Sequence, residues 1–127
     1  MGRRVRAGRR DRRLSRTIDL VGVDELAEGE MQMVWVDQTD PVLVIHVNGD
    51  FHALQGTCSH EYFELDRGFL TAGTLTCALH LSRFDITDGE PLDPPAELPL
   101  AVYEVAIVDG RVTIEVADGP LEVNEEA

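Results

Sequence analysis

No apolar run in this chain of 127 residues approaches the roughly 18 residues that a membrane-spanning helix needs. No glycine fingerprint of a dinucleotide-binding turn occurs either, and the chain is too short for a nucleotide fold plus a separate substrate domain. Lysine is absent. All 11 basic residues are arginine, and eight lie in the first sixteen positions: Arg3, Arg4, Arg6, Arg9, Arg10, Arg12, Arg13 and Arg16. From Thr17 onward only Arg67, Arg83 and Arg111 stand against 23 acidic residues, so the body carries −20 where the whole chain carries −13. A body so short of positive charge is a poor binder of nucleic acid or anionic membrane, and suits a partner with a basic docking face. An export signal is missing as well, because Thr17–Asp24 is too short and too acidic to serve as the apolar stretch after the arginines. The expected compartment is therefore the cytoplasm. Cysteine is scarce, with Cys58 and Cys77 alone, and in that compartment two cysteines predict metal ligands rather than a disulfide.

The length predicts one domain, and the hydrophobic content of 43% is that of a globular protein. The Arg-rich segment 1–16 repels itself and buries nothing, so it predicts a disordered extension. The domain proper is expected over 17–119, with an acidic C-terminal tail at 120–127. Within it the sequence reads as short strands. Thr17–Val21 is a first strand, followed by a turn or short helix at Val23–Glu28. Glu30–Asp37 alternates, with Met31, Met33 and Trp35 on one face and expected in the core. After the break at Thr39-Asp40-Pro41, Val42–Val47 runs into Asn48-Gly49, a strong hairpin signal, and returns as Phe51–Leu54. Ala101–Val108 and Arg111–Val116 flank a second such turn, Asp109-Gly110. Helical periodicity is nowhere sustained, and the pattern predicts an all-β fold, an antiparallel β-sandwich or barrel.

Residues 56–100 differ in character. They hold both cysteines, two of the four histidines, most of the prolines and several glycines, and look too irregular for sheet core. Long ordered loops on a β scaffold usually carry function. Two motifs stand out there: Cys58-Ser59-His60 and Cys77-Ala78-Leu79-His80, with sixteen residues between His60 and Cys77. Each supplies one thiolate and one imidazole, giving a symmetric set of four soft or borderline ligands. Three readings compete. A zinc site is chemically possible, although zinc modules usually pair Cys with Cys and His with His. A cysteine–histidine nucleophile pair would leave the second pair without a role. A 2Fe-2S cluster with two Cys on one iron and two His on the other uses all four, and is favoured.

These motifs resemble the Rieske ferredoxin family, whose pattern is Cys-x-His, some fifteen to seventeen residues, then Cys-x-x-His. The resemblance runs from about Thr17 to Gly119 and is nearest to the ferredoxin components of bacterial aromatic-ring-hydroxylating dioxygenases of the biphenyl, toluene and carbazole type. Leu65, Gly68, Phe84-Asp85 and Gly89 are family-like, and Asp93-Pro94-Pro95-Ala96 resembles the proline loop that covers the cluster. Ala78 and Leu81 depart from a frequent Pro and Gly.

The resemblance implies a Rieske fold, with a small cluster-binding subdomain at about 56–100 on the β-sandwich. It implies one 2Fe-2S cluster, with Cys58 and Cys77 on the inner iron and His60 and His80 on the outer iron through Nδ1. Two Fe³⁺, two sulfides and two thiolates sum to zero with neutral imidazoles, so an added electron is easier to accept than in a four-cysteine cluster. High-potential respiratory relatives add a disulfide, a serine and a tyrosine. Here a spare cysteine pair is missing, Ser82 matches the serine, and Phe84 replaces the tyrosine. A potential at the low end of the range, about −150 mV, is expected. The implied role is that of a monomeric electron carrier, not an enzyme, which receives electrons from an NAD(P)H-dependent flavoprotein reductase and passes them to a terminal ring-hydroxylating oxygenase in aromatic degradation. A catalytic mononuclear iron would need two further His and a carboxylate, and only His46 and His52 remain, close together on a hairpin. The small subunit of a nitrite-reductase-type enzyme and a zinc-stabilised interaction module are the alternatives.

Several residues carry blander expectations. His46 and His52 read as surface strand residues. Tyr62 and Phe63 read as packing beside His60. Glu61, Glu64 and Asp66 read as solvated surface that could contribute docking charge.

Overall fold

The computed structural model describes residues 15–36, 38 and 40–126, so most of the expected extension 1–16 lies outside the described residues. The described residues build nine strands: β1 (Ser15–Gly22), β2 (Glu30–Val36), β3 (Asp40–Val47), β4 (Asp50–Gln55), β5 (Phe69–Thr71), β6 (Thr74–Thr76), β7 (Arg83–Asp85), β8 (Val102–Val108) and β9 (Arg111–Ala117). A 3₁₀ turn, Leu65–Arg67, is added to them. The fold is all-β and antiparallel throughout, as expected. β1 begins at Ser15, so the last two residues of the expected extension are already strand, paired with Ala117 and Val116.

A six-stranded sheet in the order β1-β9-β8-β4-β3-β2 forms the base. Its two predicted hairpins form where expected, because Asn48-Gly49 and Asp109-Gly110 both take the left-handed conformation at their two central positions. That is the turn whose twist matches the flanking strands. A three-stranded sheet, β5-β6-β7, lies within residues 56–100. The reading of that region as too irregular for sheet is therefore corrected. Strands of three residues are too short to show a period of two, and the β5–β6 turn uses Ala72-Gly73, where Ala72 has φ 46°. An alanine in the left-handed region is uncommon, so its sequence gives no turn signal.

The alternation of β3 and β4 feeds two cores. Val42, Val44 and Ala53 point to one side, together with Val112, Ile114 and Val116 of β9. Leu43, Ile45 and Leu54 point to the other, together with Leu65, Leu75, Phe84 and both cysteines. The same division explains β2. Met31 and Met33 pack partly buried against the second core, while Val34 and Val36 face the first. Trp35, expected in the core with the two methionines, is instead 46% exposed; it pairs with Pro41 near the end of the strand, beyond the second core. Gly68 and Gly89 set the close approaches of the small sheet. A Cβ on Gly68 would collide with the Thr76 carbonyl, and one on Gly89, which also has φ 77°, with the Leu100 carbonyl. Side chains are forbidden at both.

Candidate metal centre

The two motifs sit on two loops closed by the same bond. The Cys58 N–H donates to the Phe63 carbonyl at 3.0 Å, and the Cys77 N–H donates to the Ser82 carbonyl at 2.9 Å. Each cysteine thus opens a loop of six residues, and each histidine lies inside one. A bridge between Thr57 and Glu64 continues the closure of the first loop. In the second, the Leu81 N–H returns to the Cys77 carbonyl at 2.8 Å, with Leu81 at φ 62°. β6 delivers Cys77 and β7 leaves just after Ser82, so the small sheet holds the second loop. β4 delivers the first.

Folding brings the four predicted residues together. Cys58 and Cys77 are 5% and 1% exposed, belong to the small core, and are free thiols in hydrogen-bond contact with each other. The His60 and His80 rings stand outside them, 5.2 Å apart between centroids and inclined at 66°. The hydrogen bond from Cys58 pulls the Cys77 thiol below its ordinary value, helped by the Leu79 and His80 N–H groups and opposed by burial. Cys58 is pushed up, because Cys77 shares its proton and burial disfavours its thiolate. His60 is raised, chiefly by its hydrogen bond with Glu126 at 3.1 Å. The Nδ1 of His80 lies 3.8 Å from Glu61. A buried thiol pair backed by N–H donors, with two imidazoles on the open side, fits a cluster of mixed Cys/His ligation.

The neighbours sort differently from expectation. Phe63 packs against the small core, as read, whereas Tyr62 is 69% exposed and packs on nothing comparable. Leu79 and Leu81, on either side of His80 in the sequence, are exposed as well, Leu81 at 62%. The proline loop is tied down by Arg83, which pairs with Asp93 at 2.6 Å and 3.1 Å. Neither remaining histidine joins the site. His46 is half-buried rather than a surface residue, with Nδ1 donating to the Leu26 carbonyl at 2.8 Å and its ring stacked on Phe51. His52, also partly buried, is lowered by its burial.

The acidic segment after Gly119 was invisible as part of the site, and the structure packs it there. Leu121 enters the large core, Asn124 is buried, and the Glu126 N–H donates to the Ser59 carbonyl at 2.8 Å. Gln55, at the end of β4, grips it by accepting from the Asn124 N–H and donating to the Asn124 carbonyl. The acidic composition of 120–127 gave no signal of this, because its partners Gln55, Ser59 and Tyr103 all lie far away in the sequence.

Comparison with known proteins bears on this arrangement. The model of the Rieske [2Fe-2S] domain matches residues 17–104. The ferredoxin component of biphenyl 2,3-dioxygenase from Rhodococcus jostii is 34% identical over 95 residues, covering 75% of this chain and 88% of the relative. The ferredoxin component of the p-cumate 2,3-dioxygenase system from Pseudomonas putida is 34% identical over 107 residues, covering 81% and 91%. Among solved structures, a chain of the complex of reduced oxygenase and oxidized ferredoxin in carbazole 1,9a-dioxygenase superposes with a TM-score of 0.75 at 26% identity. That match covers 84% of this chain and 97% of the other.

Proposed function

The chain belongs to the Rieske [2Fe-2S] domain family, and from that premise we propose that it passes single electrons from a reductase to a terminal Rieske non-haem iron oxygenase. Its relatives are electron-carrying components of dioxygenase systems, not catalysts in themselves, and the cofactor that goes with the family is a Rieske-type 2Fe-2S cluster. When bound, that cluster supplies a centre that takes up and releases one electron.

The paired six-residue loops carry the reading. Cys58 and Cys77 would hold the inner iron from the small core, and His60 and His80 the outer iron through Nδ1, with their other ring edges toward a docked partner. The core around the thiols would keep water from the inner side, while the partly exposed His60 and the exposed His80 would shorten the path to an acceptor. The reductase is proposed to be an NAD(P)H-dependent flavoprotein, since this chain has no nucleotide motif of its own. The oxygenase partner is supported by the carbazole system, in which oxygenase and ferredoxin form a complex. No helix among the described residues is long and apolar enough to cross a membrane. A monomer acting in the cytoplasm, in the breakdown of an aromatic compound, is the working picture. The domain is proposed over 17–119, joined at one end by Ser15 and Arg16 of β1 and at the other by the packed segment 121–126, with residues 56–100 as the cluster-binding part.

Reduced protein should show the rhombic electron paramagnetic resonance spectrum of mixed Cys/His ligation, with two irons per chain. Cys77→Ser and His80→Ala should each abolish it. A colourless protein carrying stoichiometric zinc after anaerobic purification would overturn the assignment.

A further inference from the structure

The two ligand loops close on themselves, not on each other. Among the described residues no backbone hydrogen bond joins residues 58–63 to residues 77–82. Polar and ring contacts across the gap run through the thiols, the two imidazole rings, and Glu61 at 3.8 Å from His80. A third stretch, residues 93–98, is bonded to both loops at other atoms. Asp93 accepts from Arg83 three times, from Nε at 2.6 Å, from Nη2 at 3.1 Å and from the backbone N–H at 3.2 Å, just past the end of the second loop. The Ala96 N–H donates to Oγ of Ser82, the residue whose carbonyl closes that loop. At the other end the Leu98 carbonyl accepts the hydroxyl of Ser59 at 2.6 Å, between Cys58 and His60. The C-terminal segment backs this end, where Asn124 donates its side-chain amide to the Pro99 carbonyl at 2.9 Å and the Glu126 N–H donates to the Ser59 carbonyl.

We infer, on the ligand reading above, that residues 93–98 are a clasp that sets the separation of the two ligand loops, with Ser59, Arg83 and Asp93 as the positioning residues that fasten its ends. None of these bonds uses a thiol or an imidazole nitrogen, so all of them persist when those atoms are engaged by iron. A centre shared by two loops keeps one geometry only while the loops do, and groups behind the ligands fix that geometry. The two ends are fastened differently. Ser59 is 1% exposed, so its bond is shielded from water. The Asp93 side chain is 32% exposed, and its end relies on a bidentate, charge-assisted pair. Opening either end frees the same stretch, so the two losses should not multiply.

The test is the rate at which a chelator bleaches the cluster-loaded full chain, read together with the electron paramagnetic resonance of the reduced protein. Ser59→Ala and Asp93→Ala should each speed bleaching roughly tenfold, the equivalent of about one strong hydrogen bond. The double variant should bleach no faster than either, whereas independent effects would multiply to about a hundredfold. Both single variants should also broaden the resonance, because the ligands are then held at less uniform geometry. Ile114→Val, which trims the large core alone, should leave rate and spectrum at the parent's values. Asp93→Ala alters only the more exposed end, so its rate decides the matter even where Ser59→Ala fails to fold. Multiplied effects, unchanged bleaching in Asp93→Ala, or equal acceleration in Ile114→Val would overturn the clasp and leave the ligand reading standing. A parent protein without the cluster spectrum would remove the ligand reading, and the clasp with it.

Discussion

Ser82, two residues beyond His80, is buried, and its Oγ accepts the Ala96 N–H at 3.3 Å. That bond occupies a lone pair and leaves the hydroxyl proton for an acceptor on the cluster side of the second loop. A donor there stabilises the additional negative charge of the reduced state. Ser82→Ala is expected to lower the midpoint potential by tens of millivolts, where about 59 mV is a tenfold change for one electron. Potentiometry of the two proteins checks it; an unchanged value would show that the hydroxyl serves the proline loop alone. The contrast with Glu126 is one of visibility. The grouping of Cys58, His60, Cys77, His80 and Ser82 was legible in the sequence because each Cys–His pair, and the serine beside the second, falls within a few residues. His60 and Glu126 are 66 residues apart, and nothing local records their meeting. Trp35 misled for a related reason: alternation identifies which residues share a face, but not how far along the strand the covering core extends.

At the level of elements, Gln55 joins more of the chain than any strand pair does. Its amide donates to the Thr57 and Asn124 carbonyls and accepts from the Ala101 and Asn124 N–H groups, and it is fully buried. Gln55→Leu would fill similar space and leave two buried N–H groups without their acceptor. Stranded donors of that kind cost about 1–3 kcal/mol each, so a loss of about 2–6 kcal/mol is expected, read as a lowered urea midpoint with little change in slope. A loss below about 0.5 kcal/mol, the range of ordinary surface substitutions, would mean that water replaces the amide. A glutamine at the end of an apolar strand gives no such notice in the sequence, since its partners lie 2, 46 and 69 residues away. The large hairpins did give notice, through Asn48-Gly49 and Asp109-Gly110. Ala72-Gly73 makes the same turn without the usual residue, which is why the small sheet escaped notice.

For the molecule as a whole, charge and apolar surface divide the task of docking. The body carries −20 from Thr17 onward, while the loops that bear the two histidines also expose Tyr62, Leu79 and Leu81. Long-range attraction should steer a basic partner, and short-range apolar contact should seat it; electron-transfer complexes of this kind are small and transient. The rate of reduction by the cognate reductase should therefore fall as salt rises, because screening shortens the reach of charge to about 8 Å at physiological ionic strength. Glu64→Gln combined with Asp66→Asn should flatten that dependence in stopped-flow traces without changing the cluster spectrum. A salt-independent rate in the parent would assign encounter to the apolar tip alone. The sheet that carries this tip has a consequence of a different kind. β3 and β4 are a party wall, with a large room behind them and a small one in front that contains both thiols. A wall shared in this way keeps the back room closed whatever fills the front one, so loss of a cluster from the front should leave the six-stranded sheet standing, and the lifetime of the cofactor and that of the polypeptide should be set by different doors.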